Sequence, residues 1–301
     1  MHVARRIVAT TLVLGAVGAP GCGDSAREDS DRLRVVVTHA ILGDVVTSVV
    51  GVEADVETLM PRSVDPHAFE PSARQIAAVH DADLVVANGL GLEPSLADVL
   101  TDAAEDGVRV LEVAPALDPI QLSGGGPDPH VWTDPIRMAT AAREIAAELD
   151  RVEPARAWRD RAARFAEELE GLDAEIRDAL ASIPPERRRL VTNHEVFGYF
   201  AARYDFEVIG VVIPGGSTLA EPSARDLASL ADTIRDSGVS AIFGETTQGN
   251  ELADALRREV GADVVVVELF TESLGDPGSV AGTYVGMMRE NAKRIAAALT
   301  P

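Results

Sequence analysis

Short apolar runs alternate with amphipathic stretches along most of the chain. The first run is Leu33–Val37, and others occur near 56–60, 83–87 and 108–113. Between the first two of them, residues 41–50 have the apolar spacing of a helix. Strands that alternate with helices run parallel, so this pattern predicts a parallel sheet covered by helices on both faces.

The segment 154–183 has a different pattern, in which apolar residues recur every three, four or seven positions among charged ones. These apolar residues are Trp158, Ala162, Phe165, Leu169, Leu172, Ile176 and Leu180. Pro154 lies near the start of the pattern, and Pro184 and Pro185 follow its end. The segment therefore predicts one long amphipathic helix.

Strand and helix patterns return after this helix. The predicted strands lie at 190–192, 207–213, 239–243 and 263–268. The whole pattern predicts an α/β fold with two parallel-sheet lobes, residues 33–153 and 184–301. The long helix 154–183 would join them as a rigid strut, with a binding cleft between the lobes.

The start of the chain has the layout of an export signal. Residues 7–17 form an apolar stretch after two arginines, too short to span a bilayer as a mature helix. Cys22 follows small residues, as in a bacterial lipobox, although two positions before it depart from the usual pattern. We expect a signal peptide over 1–22 and a flexible tether over 23–32. The exported protein would be anchored to the outer face of the membrane through a lipidated Cys22, or else be periplasmic or secreted.

Composition excludes several classes of function. A single cysteine excludes an intramolecular disulfide and a cysteine-based metal cage. The formal net charge of −22, with Lys293 as the one lysine, argues against a nucleic-acid partner. With 46% apolar residues, the chain has enough core for a protein without disulfides.

Three of the six histidines share a rigid setting near predicted strand ends. His67 and His130 lie in the proline-bounded turns DPHAFEPS and DPHVWTDP, and His194 follows the strand at 190–192. A proline before His67 and before His130 fixes the backbone there and pre-sets the direction of the ring. Three such histidines spread over both lobes predict a metal site in the cleft.

The other histidines have simpler interpretations. His39 ends the first strand, where ligands bind in α/β folds, and we expect it to line the cleft without binding the metal. His80 lies in the last turn of a helix, where its charge suits the helix C-terminus. His2 is removed with the signal peptide.

Three imidazoles and one oxygen suit a tetrahedral Zn²⁺ site. Glu245 and Glu272 both follow predicted strands of the second lobe, and the pattern alone leaves open which of them, or a water, supplies the oxygen. Asp65 and Asp128 stand two residues before their histidines, where they could accept the second ring N–H or form an Asx turn.

An ordered set of motifs resembles the metal-specific solute-binding proteins of zinc and manganese ABC importers. The motifs are VVVTHAILGDVV (35–46), DPHAFEPSARQI (65–76), ADLVVANGLGLEPSL (82–96), DPHVWTDPIRM (128–138), TNHEVFGYFAARY (192–204) and the segment 269–299. The resemblance covers about 33–299. It implies that this chain captures a metal ion for a membrane ABC permease, as a monomer and without catalysis.

The resemblance also implies the ligand set His67, His130, His194 and Glu272. Glu272 stands in TESL, where the family generally has an aspartate, so its side chain is one methylene longer. The segment 121–127 is short and has no histidine, whereas many zinc-binding members carry a histidine-rich loop there.

A site with three imidazoles favours Zn²⁺ over Mn²⁺. We therefore expect Zn²⁺ as the transported ion, with a manganese-binding member of the same family as the alternative. A rival from another class is a secreted zinc hydrolase, which would need an open fourth position on the metal. The chain has no H-E-x-x-H motif to support it. A third interpretation is a surface adhesin whose metal is incidental.

Overall fold

The computed structural model describes residues 32–154, 157–261 and 264–300. The expected signal peptide, the lipidated Cys22 and the tether up to residue 31 lie outside the described residues. Within the described ranges, every helix is too short or too polar to span a membrane.

The first lobe is built on a four-stranded parallel sheet. Its elements are β1 Leu33–Val37, α1 Ala40–Val50, β2 Ala54–Thr58, α2 Ala73–His80, β3 Leu84–Ala87, α3 Ala97–Glu105 and β4 Arg109–Glu112. The strand order is β2-β1-β3-β4, with every pair parallel. Central β3 is buried along its whole length, as expected for a strand covered on both faces.

The second lobe repeats this plan. Its elements are β5 Arg189–Thr192, α6 Gly198–Tyr204, β6 Glu207–Val211, α7 Ala224–Ser237, β7 Ala241–Glu245, α8 Glu251–Val260, β8 Val265–Leu269 and α9 Tyr284–Leu299. The strands are parallel in the order β6-β5-β7-β8. The predicted α/β fold with two parallel sheets is therefore confirmed.

Two long helices lie between the sheets in sequence. Helix α4 runs over Pro135–Val152, with Asp134 capping its first turn through the Ile136 N–H. Helix α5 runs over Trp158–Leu180, inside the predicted range 154–183. It packs against α4 and α1, which precede it in the sequence, and against the C-terminal α9. The strut predicted from sequence is thus one member of a helical layer.

One hydrophobic core extends through both lobes. It includes Val37 of β1, Ile145 of α4, Leu169 of α5, Phe243 of β7 and Met287 of α9, all fully or almost fully buried. Smaller apolar clusters cover the other face of each sheet. The residues from 32 onward form one compact unit. A wide separation of the lobes would expose this shared core to water, which is unfavourable.

Candidate metal centre

The residues singled out in the sequence lie at the carboxyl ends of strands from both sheets. His67 lies in the loop between β2 and α2, and His130 lies just before α4. His194 follows β5 by two residues, and Glu272 follows β8 by three. Open α/β sheets bind ligands at these strand ends, so the fold itself directs all four side chains to one region.

The structure brings the four side chains into a single buried cluster. Nε2 of His130 lies 3.3 Å from Nε2 of His67 and 3.2 Å from Nε2 of His194. Oε1 of Glu272 lies 3.3 Å from His194 Nε2 and 3.8 Å from His130 Nε2. All four ligand atoms lie within 4.8 Å of one another, and none of the four residues is more than 3% exposed.

Three of these spacings, at 3.2–3.3 Å, are those of a small tetrahedral cation site. Bonds of about 2.0–2.1 Å to a tetrahedral ion place neighbouring ligand atoms about 3.3 Å apart. Among the described residues, neither Glu272 oxygen has a hydrogen-bond partner. A buried carboxylate without a partner is costly, and a cation between it and the imidazoles would satisfy it.

Carboxylates behind two of the rings hold them in position. Asp128 Oδ1 lies 2.7 Å from His130 Nδ1 and also accepts the His130 backbone N–H at 2.9 Å. Burial raises the pKa of Asp128 to about 7, and the bond from the His130 N–H opposes that rise. Occupation of Nδ1 leaves Nε2 of His130 free to face a metal, as in many histidine-ligated sites.

Glu245, the other carboxylate considered from the sequence, lies behind His194. Its Oε1 is 2.7 Å from His194 Nδ1, an ion-pair contact whose direction departs from that of a hydrogen bond. Glu245 is the last residue of β7, and Glu272 belongs to the loop after β8. The two glutamates thus take different sides of the same imidazole.

Asp65 takes the turn-forming role, one of the two that the sequence left open. Its Oδ1 accepts the backbone N–H of His67 at 2.9 Å, as in a turn closed by an Asx side chain, instead of a ring N–H. Its Oδ2 accepts from Thr218 Oγ1 at 2.6 Å and from Gln248 Nε2 at 2.7 Å. Because Thr218 and Gln248 belong to the second lobe, Asp65 ties the His67 turn to that lobe.

Two aromatic residues that the sequence did not single out support the Glu272 segment. Trp132 Nε1 donates to Thr271 O at 2.7 Å, directly before Glu272. Tyr284 Oη donates to Trp132 O at 2.7 Å. The tryptophan in the DPHVWTDP turn could have indicated this support, because the N–H of a buried tryptophan usually has a hydrogen-bond partner.

The structure places the two remaining histidines outside the cluster. His39 is buried before α1 and packs against Trp132, with ring centroids 5.4 Å apart. Burial lowers the pKa of His39 to about 3, so its ring is neutral. His80 ends α2, where its Nδ1 lies 3.3 Å from Asp106 Oδ2.

Within the cluster, the pKa of one imidazole is raised and the pKa values of the other two are lowered. Burial, with the neighbouring His194, lowers the pKa of His67 to about 4, and burial lowers the pKa of His130 well below its usual value. Burial also disfavours a charge on His194, but Glu245 and Glu272 outweigh it and raise its pKa to about 10. Burial raises the pKa of Glu272 to about 7. These shifts favour a proton on His194, which lies between the carboxyl groups of Glu245 and Glu272, when no cation is bound.

Comparisons with known proteins give one consistent picture. The profile of the family described as "Zinc-uptake complex component A periplasmic" matches residues 35–298. The zinc-binding protein TroA of Treponema pallidum is 35% identical over 309 residues, 99% of both chains. The manganese-binding lipoprotein MntA of Bacillus subtilis is 33% identical, covering 93% of this chain and 94% of its own.

The fold agrees with this relationship. The solved structure of the periplasmic zinc binding protein TroA from Treponema pallidum superimposes with a TM-score of 0.84 at 34% identity, covering 90% of this chain and all of the other. The resemblance inferred from the sequence motifs is thus confirmed. This chain belongs to the family of metal-specific solute-binding proteins of ABC transporters.

Proposed function

We propose that this protein captures Zn²⁺ outside the cytoplasm and passes it to a membrane ABC permease. The observation that carries the proposal is the convergence of three imidazole nitrogens and one carboxylate oxygen at tetrahedral spacing. In this proposal His67, His130, His194 and Glu272 are the ligands, and the cation is the transported substrate.

The chemistry of the ligand set favours Zn²⁺ over Mn²⁺. Imidazole suits zinc, whereas manganese prefers oxygen ligands in a larger coordination shell, and affinities for a given site generally rank zinc above manganese. The alternative cation has a specific basis, because relatives of this chain include a manganese-binding lipoprotein at 33% identity. The identity of the bound metal is therefore the first property to determine.

The closed ligand set supports capture over catalysis. A catalytic zinc site keeps one position for water, whereas four protein ligands complete a tetrahedral shell. The position of Glu272 Oε1, 3.3 Å from His194 Nε2 and buried with the rings, supports its assignment as the fourth ligand. We infer that the longer glutamate side chain still reaches the ion and that the protein is not a hydrolase.

The relatives support an extracytoplasmic location. They include a protein described as periplasmic and others described as lipoproteins. Together with the export signal in the sequence, they favour a protein held at the outer face of the cell membrane by a lipid on Cys22. The core shared by the two lobes favours release through loop movement, without a wide opening.

A competitive metal titration tests the proposed function. The metal-stripped mature domain is expected to bind one Zn²⁺ per chain and to retain it against an equal concentration of Mn²⁺. The measurement is elemental analysis combined with titration against a chelator of known affinity. Preferential retention of Mn²⁺ would overturn the zinc assignment, and failure to bind either ion would overturn the proposed function.

Substitution of the two glutamates separates a ligand from a supporting group. Glu272→Ala is expected to weaken zinc binding at least about tenfold, because the fourth ligand is lost. Glu245→Gln is expected to weaken it about 10- to 100-fold through loss of support for His194. Zinc-edge absorption spectra of both variants distinguish the two roles, since only Glu272→Ala should change the ligand shell. An unchanged affinity in Glu272→Ala would remove this residue from the ligand set.

Zinc binding is expected to release protons. His194, with a pKa of about 10 in the metal-free site, must lose its proton to bind the ion. Binding at pH 8 should therefore release about one proton per cation, and affinity should rise with pH between about 7 and 9. Calorimetric titration in two buffers of different ionisation enthalpy measures the release. Glu245→Gln should release fewer protons, and no release from the unaltered protein would contradict this account.

A further inference from the structure

The segment that carries Glu272 is fixed mainly by groups of the other lobe. Its own lobe holds its start, where Phe270 N donates to Asn291 Oδ1 at 2.9 Å. Beyond that point, Trp132 of the first lobe binds Thr271 O on one side of Glu272. On the other side, the Ser63 backbone N–H donates to Ser273 Oγ at 2.9 Å.

Arg62 extends this support to the loop that follows Glu272. The loop closes on itself through Gly275 N–H, which donates to Ala281 O at 2.9 Å, and its tip at 276–280 is exposed. Arg62 Nη1 donates to Gly275 O at 2.6 Å and to Gly282 O at 2.9 Å, one carbonyl on each side of this closure. A single guanidinium therefore clamps both sides of the loop neck, which is formed by Gly275 and Gly282.

The neck has little room to rearrange without losing these bonds. A side-chain carbon on Gly282 would lie 2.8 Å from Asp276 O, and one on Gly275 would lie 2.8 Å from Ser279 Oγ. Asp44 of α1 holds the end of the loop, since its Oδ2 accepts Tyr284 N–H at 2.8 Å. The first lobe thus contacts the loop at its beginning, its neck and its end.

We propose that Arg62 is a positioning residue for the fourth metal ligand, clamping the 275–282 loop to the first lobe so that Glu272 stays on the bound ion. Arg62 lies five residues before His67, so one short segment carries the first ligand and anchors the fourth. Loss of the clamp frees the Glu272 segment and speeds dissociation of the ion. This inference rests on the proposed role of Glu272 as a ligand.

The test compares dissociation rates of Zn²⁺ from the mature chain, measured by stopped-flow mixing with excess chelator. Arg62→Met keeps the apolar stem and removes the hydrogen-bond donors, and Arg74→Met is the matched control, because Arg74 is an exposed arginine on α2. We expect Arg62→Met to raise the dissociation rate at least about tenfold, because charge-assisted hydrogen bonds are lost. Arg74→Met should change it less than twofold.

A double-mutant cycle distinguishes positioning from a general effect on the fold. If Arg62 acts through Glu272, Arg62→Met should have less than a twofold effect in the Glu272→Ala background. An equal effect in both backgrounds, or no effect in the unaltered protein, would overturn the proposal. An unchanged affinity in Glu272→Ala alone would instead overturn the ligand assignment on which it rests.

A conservative variant keeps the test valid if Arg62→Met does not fold, as judged by circular dichroism and thermal unfolding. Arg62→Lys retains the charge but not the guanidinium fork, so its dissociation rate should lie between that of the unaltered protein and the tenfold increase. It should lose its effect in the Glu272→Ala background in the same way. A Lys variant that matches the unaltered protein would overturn the requirement for the guanidinium.

Discussion

The structure depends on one constraint: imidazole nitrogens and a carboxylate are buried together between the two lobes, where their lone pairs need a positive charge. Nε2 of His130 lies 3.2–3.3 Å from Nε2 of His194 and of His67, and the Glu272 carboxylate joins them with neither of its oxygens hydrogen-bonded among the described residues. Such an arrangement is unfavourable in a dry interior unless a positive charge occupies its centre. The raised pKa of His194 favours a proton there that supplies part of that charge, and a cation bound at the site would replace it.

The fold serves this cluster by bringing strand ends of two sheets together. His67 and His130 come from the first lobe and His194 and Glu272 from the second, so an ion bound as proposed would join the lobes directly. Hydrogen bonds that Asp65 accepts and that Trp132 and Arg62 donate cross the same boundary around the cluster. The shared core beneath them keeps the lobes from separating widely. In the proposed function, capture and release would therefore depend on loops at the strand ends.

Much of this arrangement could be predicted from the sequence, because it depends on local patterns. Apolar runs predicted the two sheets, and the Pro-His turns identified His67 and His130 without any knowledge of the fold. The partners of Asp65 could not be predicted, since Thr218 and Gln248 lie more than 150 residues away along the chain. The separate roles of Glu245 and Glu272 also depend on tertiary packing, because both follow strands in similar contexts. Arg62 had no local signal, since it contacts backbone carbonyls that no sequence pattern marks.

X-ray absorption spectroscopy at the zinc edge, on the mature protein loaded with one Zn²⁺, tests the central claim most directly. The proposed site predicts a four-coordinate shell of three nitrogen ligands and one oxygen ligand at about 2.0–2.1 Å, with the outer-shell scattering of three imidazole rings. A shell of five or six mostly oxygen ligands, or a shell with fewer than three imidazoles, would contradict it.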